Sequence, residues 1–179
     1  MDSAKAAGVL AAHGGRMADY KAPFVMDKPS TPVIAIPTTA GTGSEATRFT
    51  IIIDSDTQEK MLCIGMSFLP TAAVLDYELT LSKPWRLTAD TGIDALCHAM
   101  EAFVSRKHNI FSDTTALQSL SRIGAALQDC CHEPDNHDAR ESMMMVLCAK
   151  TKPKLTLTLV RMLMLTFPLP LKHGTLVHV

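Results

Sequence analysis

Apolar and polar positions alternate along this chain in two different rhythms, and the change of rhythm divides it. Residues 3–12, SAKAAGVLAA, are rich in alanine and read as a helix with Ser3 near its start. Gly14 and Gly15 stop it. A polar loop broken by Pro23, Pro29 and Pro32 follows. Val33 to Ile36 is a short, continuous apolar run, which suits a strand buried on both faces in a parallel sheet. Phe49–Ile53 and Lys60–Ile64 are β-rich runs separated by the turn residues Asp54, Ser55 and Asp56, and predict a hairpin. Ala72–Leu75 predicts one more strand, ended by Asp76.

After Pro84 the spacing becomes helical. Leu87–Arg106, Asp113–Gln128 and Ala139–Ala149 each carry apolar residues on one face. The stretch CCHEPDNHDAR, with His132 and His137, reads as a solvated loop between helices. The fold class expected is therefore α/β followed by all-α, with a boundary near residue 83. Residues 1–83 form the first part, 84–149 the second, and 150–179 a divergent tail. That tail has alternating stretches, three prolines and no acidic residue, and its pattern predicts no structure.

Composition narrows the function classes. The chain has 179 residues, 47% of them hydrophobic and 20% charged, as in globular domains. Its 17 basic and 18 acidic residues leave a net charge of -1, so no basic face is available for a nucleic-acid backbone. The N-terminus lacks the apolar core of a signal peptide, and Leu155 to Leu171, interrupted by Arg161, Pro168 and Pro170, is a poor membrane span. A cytoplasmic location follows as the expectation. The five cysteines include no CxxC pair, so reduced, buried thiols are expected.

Two motifs can carry chemistry. In Pro37-Thr38-Thr39-Ala40-Gly41-Thr42-Gly43-Ser44-Glu45, the glycines allow close backbone approach and the hydroxyls can donate to phosphate or ribose. A plain Gly/Thr turn is the alternative, because the pattern is neither of the common nucleotide fingerprints. In Thr91-Gly92-Ile93-Asp94-Ala95-Leu96-Cys97-His98-Ala99-Met100-Glu101, Asp94 and His98 are spaced i, i+4. On a helix they share a face, roughly 5–6 Å apart at Cβ, and could hold one divalent metal with Glu101 as an outer partner. An ordinary polar stripe is the alternative there.

Together these segments resemble the iron-containing (group III) alcohol dehydrogenase family. MDSAKAAGVLAAHGG, PVIAIPTTAGTGSEATRF, LPTAAVLDYELTLSKPWRLTADTGIDALCHAMEAFVSRK, FSDTTALQSLSRI and ARESMMM match it in order, over roughly residues 1–147. The resemblance implies a Rossmann-like NAD(P)-binding domain followed by a helical domain holding one divalent metal, usually Fe2+ and sometimes Zn2+. It implies cofactor contacts at Thr38, Thr39 and Thr42, further nucleotide contacts at Thr47 and Lys60, and metal ligands at Asp94 and His98. The activity implied is hydride transfer between NAD(P) and a small alcohol or aldehyde.

The chain departs from the family at both ends. Met1-Asp2 falls at the end of the family's glycine-rich pyrophosphate motif, whose glycines are absent here. The family's two further metal-binding histidines lie beyond the match, and His173 and His178 stand in unrelated sequence. A shifted reading frame or a rearranged gene end from about residue 148 would explain the second departure, with a native divergent tail as the alternative, and a chain with two ligands is expected to bind metal weakly and to turn over little or no alcohol. The competing readings are a non-catalytic remnant that associates with another chain and a glycerol-dehydrogenase-like or dehydroquinate-synthase-like enzyme. Self-association of the chain is left open.

Overall fold

The computed structural model describes residues 1–146 and the backbone of 175–178. The elements in order are α1 (Asp2–His13), β1 (Ile34–Ala35), β2 (Phe49–Ile53), β3 (Lys60–Ile64), β4 (Ala72–Leu75), α2 (Glu78–Leu81), α3 (Trp85–Phe103), α4 (Ile110–His132), α5 (His137–Met145) and β5 (Thr175–His178). They form two compact units. Among the described residues, the first takes residues 1–35, 44–73 and 178, and the second takes 36–43, 74–146 and 175–177.

In the first unit β2 and β3 form the expected antiparallel hairpin, with Phe49 opposite Ile64 and Ile53 opposite Lys60. β1 runs parallel to β4, pairing Ile34 with Ala72 and Ala35 with Ala73. Among the described residues β1 pairs with β4 on one side only. Exposure corrects the expectation of a strand buried on both faces: Ile34 is 66% and Ile36 51% exposed, and only Ala35 between them is buried. Ile34 and Ile36 share one face of the strand and that face is uncovered, while Ala35 points to the covered one.

Helix α1 carries no side-chain cap, so Ser3 does not act as one. Its first turn is held instead by tertiary contacts. The Lys5 ammonium is buried and donates to the Thr47 carbonyl at 2.8 Å, the Thr47 hydroxyl at 3.1 Å and the Phe49 carbonyl at 2.9 Å. Asp2 accepts from the Ser44 hydroxyl and from the Ile51 amide, and its own carbonyl accepts from the Thr50 hydroxyl. Burial lowers the Lys5 pKa to about 8, against the opposing pull of Asp2 and Glu45. Val9, Met26, Cys63 and Phe68 make the core beneath.

The second unit is a stack of helices. Ala95 of α3, Ile123, Ala126 and Cys130 of α4, and Ala139, Met143 and Val146 at α5 form one buried cluster. Helix α4 outruns both its predicted ends for identifiable reasons, whereas α3 stops at Phe103, short of the predicted Arg106. The Asn109 side chain accepts from the Phe111 and Ser112 amides, both at 3.0 Å, while its own amide donates to the Ser112 hydroxyl at 2.8 Å. This capping box starts α4 three residues before Asp113. At the other end the buried spacing Ile123, Ala126, Cys130 carries α4 on to His132, so the solvated connection shrinks to residues 133–136. Asn136 caps α5 through the Ala139 amide at 3.0 Å.

Cys63, Cys97, Cys130 and Cys131 are free thiols, and Cys97 is exposed rather than buried as expected. Among the described residues no helix is long and apolar enough to cross a membrane. Leu155 to Leu171, Cys148 and His173 lie outside the described residues.

Candidate active site

Helix α3 follows Pro84, whose φ of -63° suits the entry to a helix. Gly92, Ala95 and Ala99 are its buried residues, at spacings of three and four, and they set which face meets the core. At about 100° per residue, Thr91, Asp94 and His98 fall together on a flank beside that buried stripe. Asp94 Oδ1 lies 3.4 Å from His98 Nε2, and the two side chains are 43% and 42% exposed.

That spacing is long for a hydrogen bond. It is close to the separation, about 3.4 Å, of two ligands that each stand about 2.1 Å from one tetrahedral centre. A carboxylate oxygen and an imidazole nitrogen also suit a borderline divalent cation. The pair therefore fits half of a metal site. Among the described residues no group of three or more His, Cys, Asp or Glu side chains could hold a metal ion, so this donor set stands at two. Glu101 is exposed, and no hydrogen bond joins it to His98 among the described residues.

The Gly/Thr loop lies against the same helix. A Cβ on Gly41 would come 2.4 Å from Thr91 Cβ, 2.7 Å from its carbonyl oxygen and 2.9 Å from its Cα. Only glycine tolerates such contact. Ala40, next to it, packs against the helical core cluster. Gly43 has φ +66°, the left-handed region where side chains are disfavoured. Thr91 stands three residues before Asp94 and seven before His98, so the loop is seated on the flank that carries both. Thr38 and Thr42 are exposed and Thr39 is half-buried. All five residues, Thr38, Thr39, Thr42, Asp94 and His98, belong to the second unit. Thr47 and Lys60 belong to the first. The Thr47 hydroxyl accepts from Lys5, and Lys60 is exposed at the start of β3.

Residues 1–77 match the iron-containing alcohol dehydrogenase family, and residues 88–150 match the C-terminal domain of the same Fe-containing family. The chain belongs to the iron-containing alcohol dehydrogenase family. The NAD-dependent methanol dehydrogenase of Bacillus methanolicus is 44% identical over 142 residues, which are 79% of this chain and 37% of that protein. Sulfoacetaldehyde reductase from Bifidobacterium kashiwanohense, solved in complex with NAD+, superposes with a TM-score of 0.80 at 35% identity, covering 83% of this chain and 40% of that one. An iron-containing alcohol dehydrogenase from Thermotoga maritima gives 0.73 at 36% identity over the same shares. This family member thus spans about two fifths of the length of such relatives, and it has their fold, a Rossmann-like α/β part followed by helices.

Two buried cations escaped the sequence reading. Lys5 had a signal, an aspartate one turn before it at Asp2. Arg140 had a weaker one. It is a cation near the start of α5, where the helix dipole favours acidic residues, and such misplacement marks a residue held by something else.

Proposed function

We propose that this chain carries the cofactor loop and half of the metal site of an NAD(P)-dependent alcohol dehydrogenase acting on a small alcohol or its aldehyde. The observation behind this reading is the seating of Gly41 on Thr91, which sets the Thr38–Gly43 loop on the flank of α3 that bears Asp94 and His98. The Asp94 carboxylate and His98 Nε2 would hold a divalent metal, Fe2+ by family, while the Thr38, Thr39 and Thr42 hydroxyls orient the cofactor. Thr47 and Lys60 are the further nucleotide contacts that the family resemblance implies. A bound metal supplies Lewis-acid polarisation of the alcohol oxygen, and the nicotinamide ring supplies the hydride acceptor.

Titration with Co2+, followed through its visible absorption, tests the site. Asp94→Asn and His98→Ala should each weaken binding at least about tenfold, as expected when one of few ligands is lost. Equal binding by wild type and both variants would remove the metal role of this pair. Formation of reduced nicotinamide from NAD+ and primary alcohols then reads the activity itself.

A second reading, an association module, is favoured by the exposed apolar residues where α3 ends and α4 begins. Val104 is 77%, Ile110 76% and Phe111 76% exposed. Size-exclusion chromatography separates the readings, since a concentration-independent monomer argues against association.

A further inference from the structure

Helix α1 buries a charge that packing alone does not call for. Lys5 is 1% exposed, beside Ala6 and Val9, which are also buried. An apolar side chain would fill that place without the cost of drying an ammonium. The ammonium has three protons and meets three oxygens, none of them a carboxylate. They are the Thr47 carbonyl at 2.8 Å, the Phe49 carbonyl at 2.9 Å and the Thr47 hydroxyl at 3.1 Å. The charged groups that act on it are Asp2, one turn earlier on α1, and Glu45, in the turn Ser44–Ala46, and both favour its charge.

Two of the three bonds go to one residue. They hold the backbone and the hydroxyl of Thr47 together, with a lone pair of the hydroxyl turned to the ammonium. The hydroxyl proton is what remains for other partners. The Ser44 carbonyl lies 3.4 Å away, too far to bind that proton firmly. A hydroxyl that accepts from a cation becomes a stronger donor in turn. Thr47 is half-buried, so an oxygen of a ligand can compete for the proton. The segment around it is pinned on both sides, since Asp2 accepts from the Ser44 hydroxyl and, through its other oxygen, from the Ile51 amide at 2.9 Å. Asp2 thus fixes where the segment stands, and Lys5 fixes which way its hydroxyl faces.

We infer that Lys5 is a positioning residue that aims the Thr47 hydroxyl as a hydrogen-bond donor at an oxygen of the nucleotide. The inference deepens the proposed function and rests on Thr47 being a nucleotide contact there. Titration of the full chain with NADH, and with NADPH in parallel, read by nucleotide fluorescence, tests it. Thr47→Val keeps the shape and removes the hydroxyl, and should weaken binding about tenfold, the loss of one hydrogen bond. Lys5→Met should weaken it about fivefold, and should add nothing to Thr47→Val, because Lys5 acts through that hydroxyl. A lysine that merely held the fold would weaken binding in both backgrounds. If Lys5→Met does not fold, wild type answers through pH. Loss of the Lys5 proton around pH 8 removes a donor, so affinity should fall as pH rises from about 7 to 9 in wild type and stay level in Thr47→Val. Additive losses, or the same pH profile in wild type and Thr47→Val, overturn the inference while Thr47 keeps its contact. No loss in Thr47→Val, or no binding of either nucleotide by wild type, overturns the contact itself and the inference with it.

Discussion

Gly41→Ala adds one methyl group at the point where the cofactor loop meets α3. The new carbon would stand 2.4 Å from Thr91 Cβ, 2.7 Å from Thr91 O and 2.9 Å from Thr91 Cα. Favourable carbon contacts lie near 3.5–4.0 Å, so the overlap with Cβ exceeds about 1 Å. None of these atoms is the end of a flexible side chain. They belong to the interior of a long helix, whose displacement would disturb the packing of Ala95 against α4. Overpacking of this kind costs roughly 1–3 kcal/mol, and the rigid partner argues for the upper half of that range. Alanine stiffens the unfolded chain and returns about 0.4–1 kcal/mol, leaving a net loss of about 2 kcal/mol. Urea denaturation, followed by circular dichroism and by the single tryptophan, Trp85 at the start of α3, should show the midpoint falling by about 1 M. Gly124→Ala is the matched control. It lies in α4 with nothing within 4 Å of an added Cβ, and there the same chemical change should stabilise by up to about 1 kcal/mol. If Gly41→Ala is as stable as wild type, the loop does not rest on α3 and the argument for the site loses its base.

Stability should also respond to pH through Lys5. Its folded pKa is lowered to about 8 from an ordinary 10.5, so the unfolded chain holds a proton across that interval that the folded one has released. Stability therefore rises with pH in this window, by about 1 kcal/mol between pH 7 and 9. Lys5→Met should flatten the rise, and an unchanged slope in urea titrations would refute it. Among the thiols, exposed Cys97 should be alkylated in the native protein well before Cys130, which is buried with its pKa held up at about 11. Peptide mass mapping showing equal rates would contradict the placement of Cys130.

What the sequence disclosed was mostly local. Phe49–Ile53 and Lys60–Ile64 announced their hairpin because alternation and turn residues sit within one short stretch. Asp94 and His98 could be placed on one face because the spacing itself encodes it. The loop beside them could not be foreseen, since Gly41 and Thr91 are fifty residues apart and glycine-rich turns occur for many reasons. The burial of Lys5 and Arg140 was hidden for the same cause: their acceptors at Thr47, Phe49 and Thr88 are distant in sequence. β1 misled because an apolar run says that a strand is present, not which of its faces is covered.

The clasp between α1 and the segment from Ser44 to Ile51 also bears on the order in which the protein folds. Its hydrogen bonds join residues 42 to 49 positions apart. Helices α3 and α4 meet across a connection of residues 104–109. Closing the longer loop costs about 2 kcal/mol more chain entropy than closing the shorter. The helical hairpin is thus the fast-forming element and the clasp the slow one. During synthesis, α1 leaves the ribosome ahead of this segment and has nothing to lock onto until Ile51 has followed it out.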